Sequence, residues 1–165
     1  MDKFAEFIRI TKKLNEMEII PLLMGSVGLE VVTSADWDAQ DLDIHVPGDE
    51  RGWEVPPELS IHNWTRIAEI MSSIDYTLVD LHEHEFSNGQ LSVEFGIMDT
   101  LPEFAGVPLE DLKMHQKDGA NYFLLNPRQY LAVYGASSLD SYRADQNNNK
   151  DLKKIEFLKN MVENS

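Results

Sequence analysis

Residues 22–46, LLMGSVGLEVVTSADWDAQDLDIHV, constrain the fold of this chain more than any other stretch. An apolar run ends in Gly25-Ser26, and a later segment alternates strictly: Asp41-Leu42-Asp43-Ile44-His45-Val46. Period-two alternation puts successive side chains on opposite faces of a strand, so this segment predicts one buried and one polar face. Upstream, EIIPLLM reads as a short buried strand, with Pro21 marking an edge position or an irregular start. A short helix from about Ser26 to Val32 is expected between the two strands.

The rest of the chain supplies what surrounds that unit. Asp2 is placed to cap a first helix, in which Phe4, Phe7, Ile8 and Leu14 follow helical spacing. The stretch PGDERGWEVPPEL, residues 47–59, reads as a loop, and Trp64, Ile67, Ala68 and Met71 share one face of a following helix. YTLVDLHEHEF and QLSVEFGIMD flank the turn SNG, a hairpin signal because Asn-Gly suits the turn that joins twisted strands. Asn126-Pro127 predicts the start of a helix over PRQYLAVYGASSLDSYR. After the polar run ADQNNN, Leu152, Ile155, Leu158 and Val162 predict a last amphipathic helix. The order predicts an α/β (α+β) domain with a mixed sheet and a helical C-terminal part. Tyr122, Phe123, Tyr130 and Tyr134 are expected in the core rather than as a base-stacking platform.

Charge narrows the partners. Fourteen Lys and Arg stand against 29 Asp and Glu, a formal net charge of −15. Such a surface repels phosphate backbones, which argues against a nucleic-acid partner. The chain has no cysteine, so disulfides and thiolate metal sites are excluded. No apolar run reaches membrane length, and the first residues carry charges among apolar positions, so a cytoplasmic protein without a membrane partner is expected.

Asp41 and Asp43 are expected on one strand face, roughly 6.5–7 Å apart along the chain. Two carboxylates so placed repel unless a cation lies between them, and Mg²⁺ commonly takes one or two carboxylates plus substrate phosphates. Glu94 in LSVEFGIMD is a candidate third carboxylate, with Asp99 the weaker choice. Gly25 permits close approach of a phosphate, and the helix start after it offers free N–H groups that the Ser26 hydroxyl can supplement.

With an apolar residue before Gly-Ser, a spacer, and Asp-apolar-Asp-apolar, the chain resembles the nucleotidyltransferase superfamily with the DNA polymerase β-like fold. Within it, the chain is most similar to small antibiotic and abortive-infection nucleotidyltransferases, whose last helix often carries a Lys-Asp pair like that of NKDLKKIEFL. The resemblance covers residues 19–46 and extends to Glu94. It implies one nucleotidyltransferase-like domain over residues 1–165, with a core over about 18–100 and C-terminal helices over about 126–163. It further implies that Asp41, Asp43 and Glu94 hold Mg²⁺ and act in catalysis, and that Gly25 and Ser26 bind the phosphates of an NTP, foremost ATP. Lys150 is implied as a phosphate or base contact, and Arg143 as a further nucleotide contact. The implied reaction moves a nucleoside monophosphate, AMP foremost, to a hydroxyl of a small-molecule or protein acceptor.

Two departures stand out. Fourteen residues separate Ser26 from Asp41, longer than the usual spacer, and the inserted ADWDAQ adds Asp36 and Asp38. No Lys or Arg lies between Lys13 and Arg51, so a cation for the triphosphate has to come from Arg128, Arg143 or Lys150. That deficit raises an alternative, the same fold as a non-catalytic binding or regulatory protein. In a third reading, Asp80, His82 and His84 alternate on one strand face with His45 near, a donor set that suits Zn²⁺. A solvent-facing hairpin edge is the simpler expectation for the same spacing.

Overall fold

Asp2 caps the first helix as its position predicts: its Oδ1 accepts from the Ala5 N–H at 3.0 Å at the head of α1 (Lys3–Asn15). The computed structural model describes residues 2–138 and 141–164, with side chains placed for 2–138 and 151–164. Strand β1 (Leu22–Met24) leads directly into α2 (Gly25–Thr33), and β2 (Leu42–Val46) returns antiparallel to β1. Pro21 marks the irregular start of β1 rather than an edge, because β1 lies inside the sheet, and the Pro21 carbonyl accepts from Phe123 N–H at 2.8 Å. The expected loop 47–59 contains a 3₁₀ turn over Gly52–Glu54 and leads into the single-turn α3 (Pro57–Ser60). Helix α4 (Trp64–Ser73) buries Trp64, Ile67 and Met71.

The predicted hairpin forms, with one correction. The strand read from YTLVDLHEHEF is two strands, β3 (Thr77–Asp80) and β4 (Glu85–Ser87), folded back on each other. Asp80 Oδ1 accepts from Glu83 N–H at 3.2 Å, and His84 takes a left-handed φ of 51°, so residues 81–84 close a turn instead of continuing the strand. β4 then pairs antiparallel with β5 (Ser92–Ile97) across the Asn88-Gly89 turn. After α5 (Leu101–Ala105), an unanticipated hairpin joins β6 (Lys113–Lys117) to β7 (Ala120–Leu124). Its turn uses Asp118 and Gly119 at φ 53° and 84°, the left-handed pair that fits the twist of a two-residue connection.

The seven strands form one mixed sheet in the order β3-β4-β5-β2-β1-β7-β6, with β2 parallel to β5 and β1 parallel to β7. Helices follow: α6 (Pro127–Ser138), then α7 (Ser141–Glu163). Helix α7 runs through ADQNNN, which the sequence places between helices. Asn, Asp and Gln cost at most about 0.7 kcal/mol each relative to Ala in a helix, too little to break a long one.

Two cores form on the two faces of the sheet. Leu42, Ile44, Val46, Val93 and Phe95 pack with Phe7, Ile10, Leu14, Ile67 and Met71 of α1 and α4. On the other face, Leu22 and Met24 of β1 pack with Leu29, Tyr130, Val133 and Leu158 of α2, α6 and α7. Tyr122, Tyr130 and Tyr134 are buried, as the core reading requires. Over β2 and β5 that second face is a window of polar side chains in place of apolar ones, Asp43 and Glu94 among them. Among the described residues, no helix is long and apolar enough to cross a membrane.

Candidate active site

Strand alternation builds the window. Leu42, Ile44 and Val46 are buried, so Asp43 and His45 project from the opposite face. β2 and β5 are parallel neighbours with Asp43 directly beside Glu94 in register. The Asn88-Gly89 hairpin then sets Glu85 beside Glu94 from the other side, where Glu85 Oε2 accepts from Ser92 Oγ at 3.0 Å. Asp43, Glu94 and Glu85 therefore form a row across three adjacent strands.

The row is electrostatically tense. Desolvation first, and then repulsion from Asp43, Glu83 and Glu85, push the Glu94 carboxyl up to about 7, although solvent still reaches its side chain. Asp41, just before β2, is also raised, first by desolvation and then by Glu85, with Lys3 opposing. Asp41 thus answers to Glu85, whereas Glu94 answers to Asp43 as well. His45 Nε2 lies 3.3 Å from Asp43 Oδ1, and His45 Nδ1 is buried without a hydrogen-bond partner among the described residues.

The Gly-Ser pair sits against this row. Gly25 opens α2 at φ +68°, and a Cβ there would stand 3.0 Å from the Asp43 Cβ. The cap residue Met24 makes no side-chain hydrogen bond to the start of α2, whose first N–H groups lack an i−4 carbonyl within the helix. Into this corner comes a cation that sequence reading missed. Lys154 of α7 is buried, its Nζ donates to Ser26 Oγ at 3.0 Å, and it lies 5.1 Å above the Tyr134 ring. Among the described side chains of α7, Asp151, Lys154 and Leu158 are buried, while Leu152, expected on the apolar face, is half exposed. Arg128 is exposed on α6, and Arg143 and Lys150 lie in α7 outside the described side chains.

Other candidates find structural roles. Asp99 Oδ1 accepts from Gly48 N–H at 2.9 Å and pins the loop after β2 to the end of β5. Asp36 and Asp38 of the long spacer are exposed, and Trp37 between them packs edge-on against Phe157 of α7 at 5.3 Å. The zinc reading fails on geometry. His82 is exposed and contacts Glu83, whereas His84 is buried against Trp64 with Nε2 2.7 Å from the Pro57 carbonyl. The turn over 81–84 has separated the two rings. Among the described residues, no group of three His, Asp or Glu side chains stands close enough to hold a metal ion.

No family model matches the chain. In fold it is similar to an antigenic nucleotidyltransferase-like protein from Paracoccidioides brasiliensis, with a TM-score of 0.56 over 90% of this chain and 71% of that one, at 16% identity. At that identity the likeness is one of fold, and the fold is nucleotidyltransferase-like. In sequence it is 36% identical over 165 residues to the uncharacterized protein YnaI of Bacillus subtilis (strain 168), covering 99% of this chain and 100% of that protein. Similarity sustained from end to end at this level makes the chain a member of the YnaI family.

Proposed function

We propose that the protein is a Mg²⁺-dependent nucleotidyltransferase that moves a nucleoside monophosphate, AMP foremost, from an NTP to an acceptor hydroxyl. The observation that carries this reading is one corner of the fold. There an uncapped helix start at Gly25-Ser26, the buried Lys154 ammonium and the Asp43–Glu94 pair converge. Free N–H groups and an ammonium suit a triphosphate.

The donors suit the metal as well. Asp43 and Glu94 are both hard oxygen ligands, held side by side on neighbouring parallel strands. Asp43 and Glu94 would hold Mg²⁺ as a pair, with substrate phosphates completing its oxygen ligands, while Asp41, just before β2, stands outside that pair. The ion when bound would neutralise charge on the triphosphate. Lys154 and the α2 N–H groups hold the phosphates, and Gly25 lets them approach the backbone. The acceptor oxygen attacks the α-phosphorus, the new O–P bond forms as the bond to the bridging oxygen breaks, and pyrophosphate leaves. A carboxylate of this row takes the hydroxyl proton. The shortage of Lys and Arg near the motif favours a non-catalytic binding protein, and the contact of Lys154 with Ser26 supports the catalytic reading instead.

The test is incubation of the protein with ATP, Mg²⁺ and a pool of hydroxylated small molecules, followed by mass spectrometry. Adenylylated product and pyrophosphate in equal amounts, lost with EDTA or in Glu94→Gln, is the expected result. Release of inorganic phosphate without pyrophosphate contradicts the reaction.

A further inference from the structure

Next to the acidic row, a cavity of about 740 Å³ opens between the loop around residues 50–57 and the residues before and within α5, with Glu94 in its wall. Four more glutamates line it: Glu50, Glu54, Glu83 and Glu103. Arg51 is the single Lys or Arg among the described lining residues, and its charge is already met. Its Nε and Nη2 donate to the Asp49 carboxylate at 3.0 and 2.7 Å. Among the described residues the cavity therefore carries a net negative field that disfavours a free anion and favours a cation.

Its apolar side is equally specific. Trp53 lines the cavity while 90% exposed, and Phe104 lines it from α5 while 50% exposed. A hydrated metal ion would make no use of these rings, and a neutral apolar molecule would make no use of the negative field. Aromatic faces next to carboxylates are the means by which proteins hold organic ammonium ions.

We propose that this cavity binds an organic ammonium ion with an apolar body, its charge among the glutamates and its body against Trp53 and Phe104. As a binding site it stands independently of nucleotide chemistry. As the acceptor site, with a ligand hydroxyl directed at Glu94, it rests on the nucleotidyl-transfer reading and uses the bond changes given for it.

Calorimetric titration of the full chain without nucleotide tests it, using 2-phenylethylammonium, neutral 2-phenylethanol and phenylacetate as probes. The ammonium is expected to bind about tenfold or more tighter than the alcohol, and phenylacetate not to bind. Trp53→Ala, and Glu54→Gln combined with Glu103→Gln, are each expected to weaken the ammonium about three- to tenfold. These side chains are exposed, so circular dichroism of the variants is expected to match the parent. Equal binding of alcohol and ammonium, or indifference to both variants, overturns the proposal. ATP titrated into the same variants keeps the two readings apart. Trp53→Ala should retain ATP binding, and a parent protein that binds the ammonium but not ATP would defeat only the nucleotide reading.

Discussion

Gly25 shows how a single backbone position commits the site. Its φ of +68° is strained for any residue with a Cβ, and that Cβ would press on the Asp43 side chain at 3.0 Å. Gly25→Ala should therefore cost about 1–2 kcal/mol of stability, read as a lower urea midpoint, and weaken ATP binding. An unchanged midpoint would mean that the backbone relaxes freely there. Glu94 makes the complementary case with charge. Its carboxyl is held at about 7 in the folded chain against an ordinary 4.5, so the folded state binds that proton more tightly than the unfolded state. Stability attributable to Glu94 thus rises as pH falls from about 7 toward 4.5, and the ionised group is a liability above 7. Glu94→Gln should melt about 1–3 °C higher than the parent at pH 8, a modest gain because solvent screens an exposed group. The difference should shrink by pH 5, and a difference independent of pH would contradict the origin given for the shift. The faces of Asp43 and Glu94 were legible in the residues, because strict alternation fixes them; that the two stand side by side follows from the parallel register of β2 and β5, which alternation does not give. Glu85 was equally readable in principle: once Asn88-Gly89 closes the hairpin, Glu85 falls opposite Glu94.

At the scale of elements, strands were more legible than the packing of helices. The alternation in DLDIHV and the Asn-Gly turn dictate β2 and the β4–β5 pair from neighbours in sequence. The break between β3 and β4 depends on one Asp80 side chain capping a turn, which alternation alone conceals. Helix α7 was misread for a different reason. Periodicity marks an apolar stripe, whereas burial follows from where the helix docks. Lys154 is buried where its ammonium meets the Tyr134 ring of α6 and Ser26, 128 residues away in sequence. Nothing local encodes that contact. Replacing the ammonium while keeping the stem tests its part in the site. Lys154→Met should weaken ATP binding about 10–100-fold, as expected for losing a charged donor, while the protein remains folded by circular dichroism. Undiminished ATP affinity would remove Lys154 from the cradle and return the charge deficit to the argument.

For the whole molecule, the decisive property is that one sheet holds the two halves of the site together. β1 and β2 bring the Gly-Ser corner and Asp43, the β4–β5 hairpin brings Glu85 and Glu94, and α7 closes the corner with Lys154. A net charge of −15 bears on all of it, because a triphosphate approaches this corner against the field of the rest of the chain. Binding of a free nucleotide should therefore depend on a divalent cation and on Lys154 together, and metal-free ATP should be rejected. The most direct measurement is calorimetric titration of ATP into the full chain with Mg²⁺, with EDTA, and with Mg²⁺ into Asp43→Asn. The account predicts saturable binding in the first case and none in the other two. Binding that persists in EDTA, or that Asp43→Asn leaves intact, would contradict the claim that this corner is a metal-dependent nucleotide site.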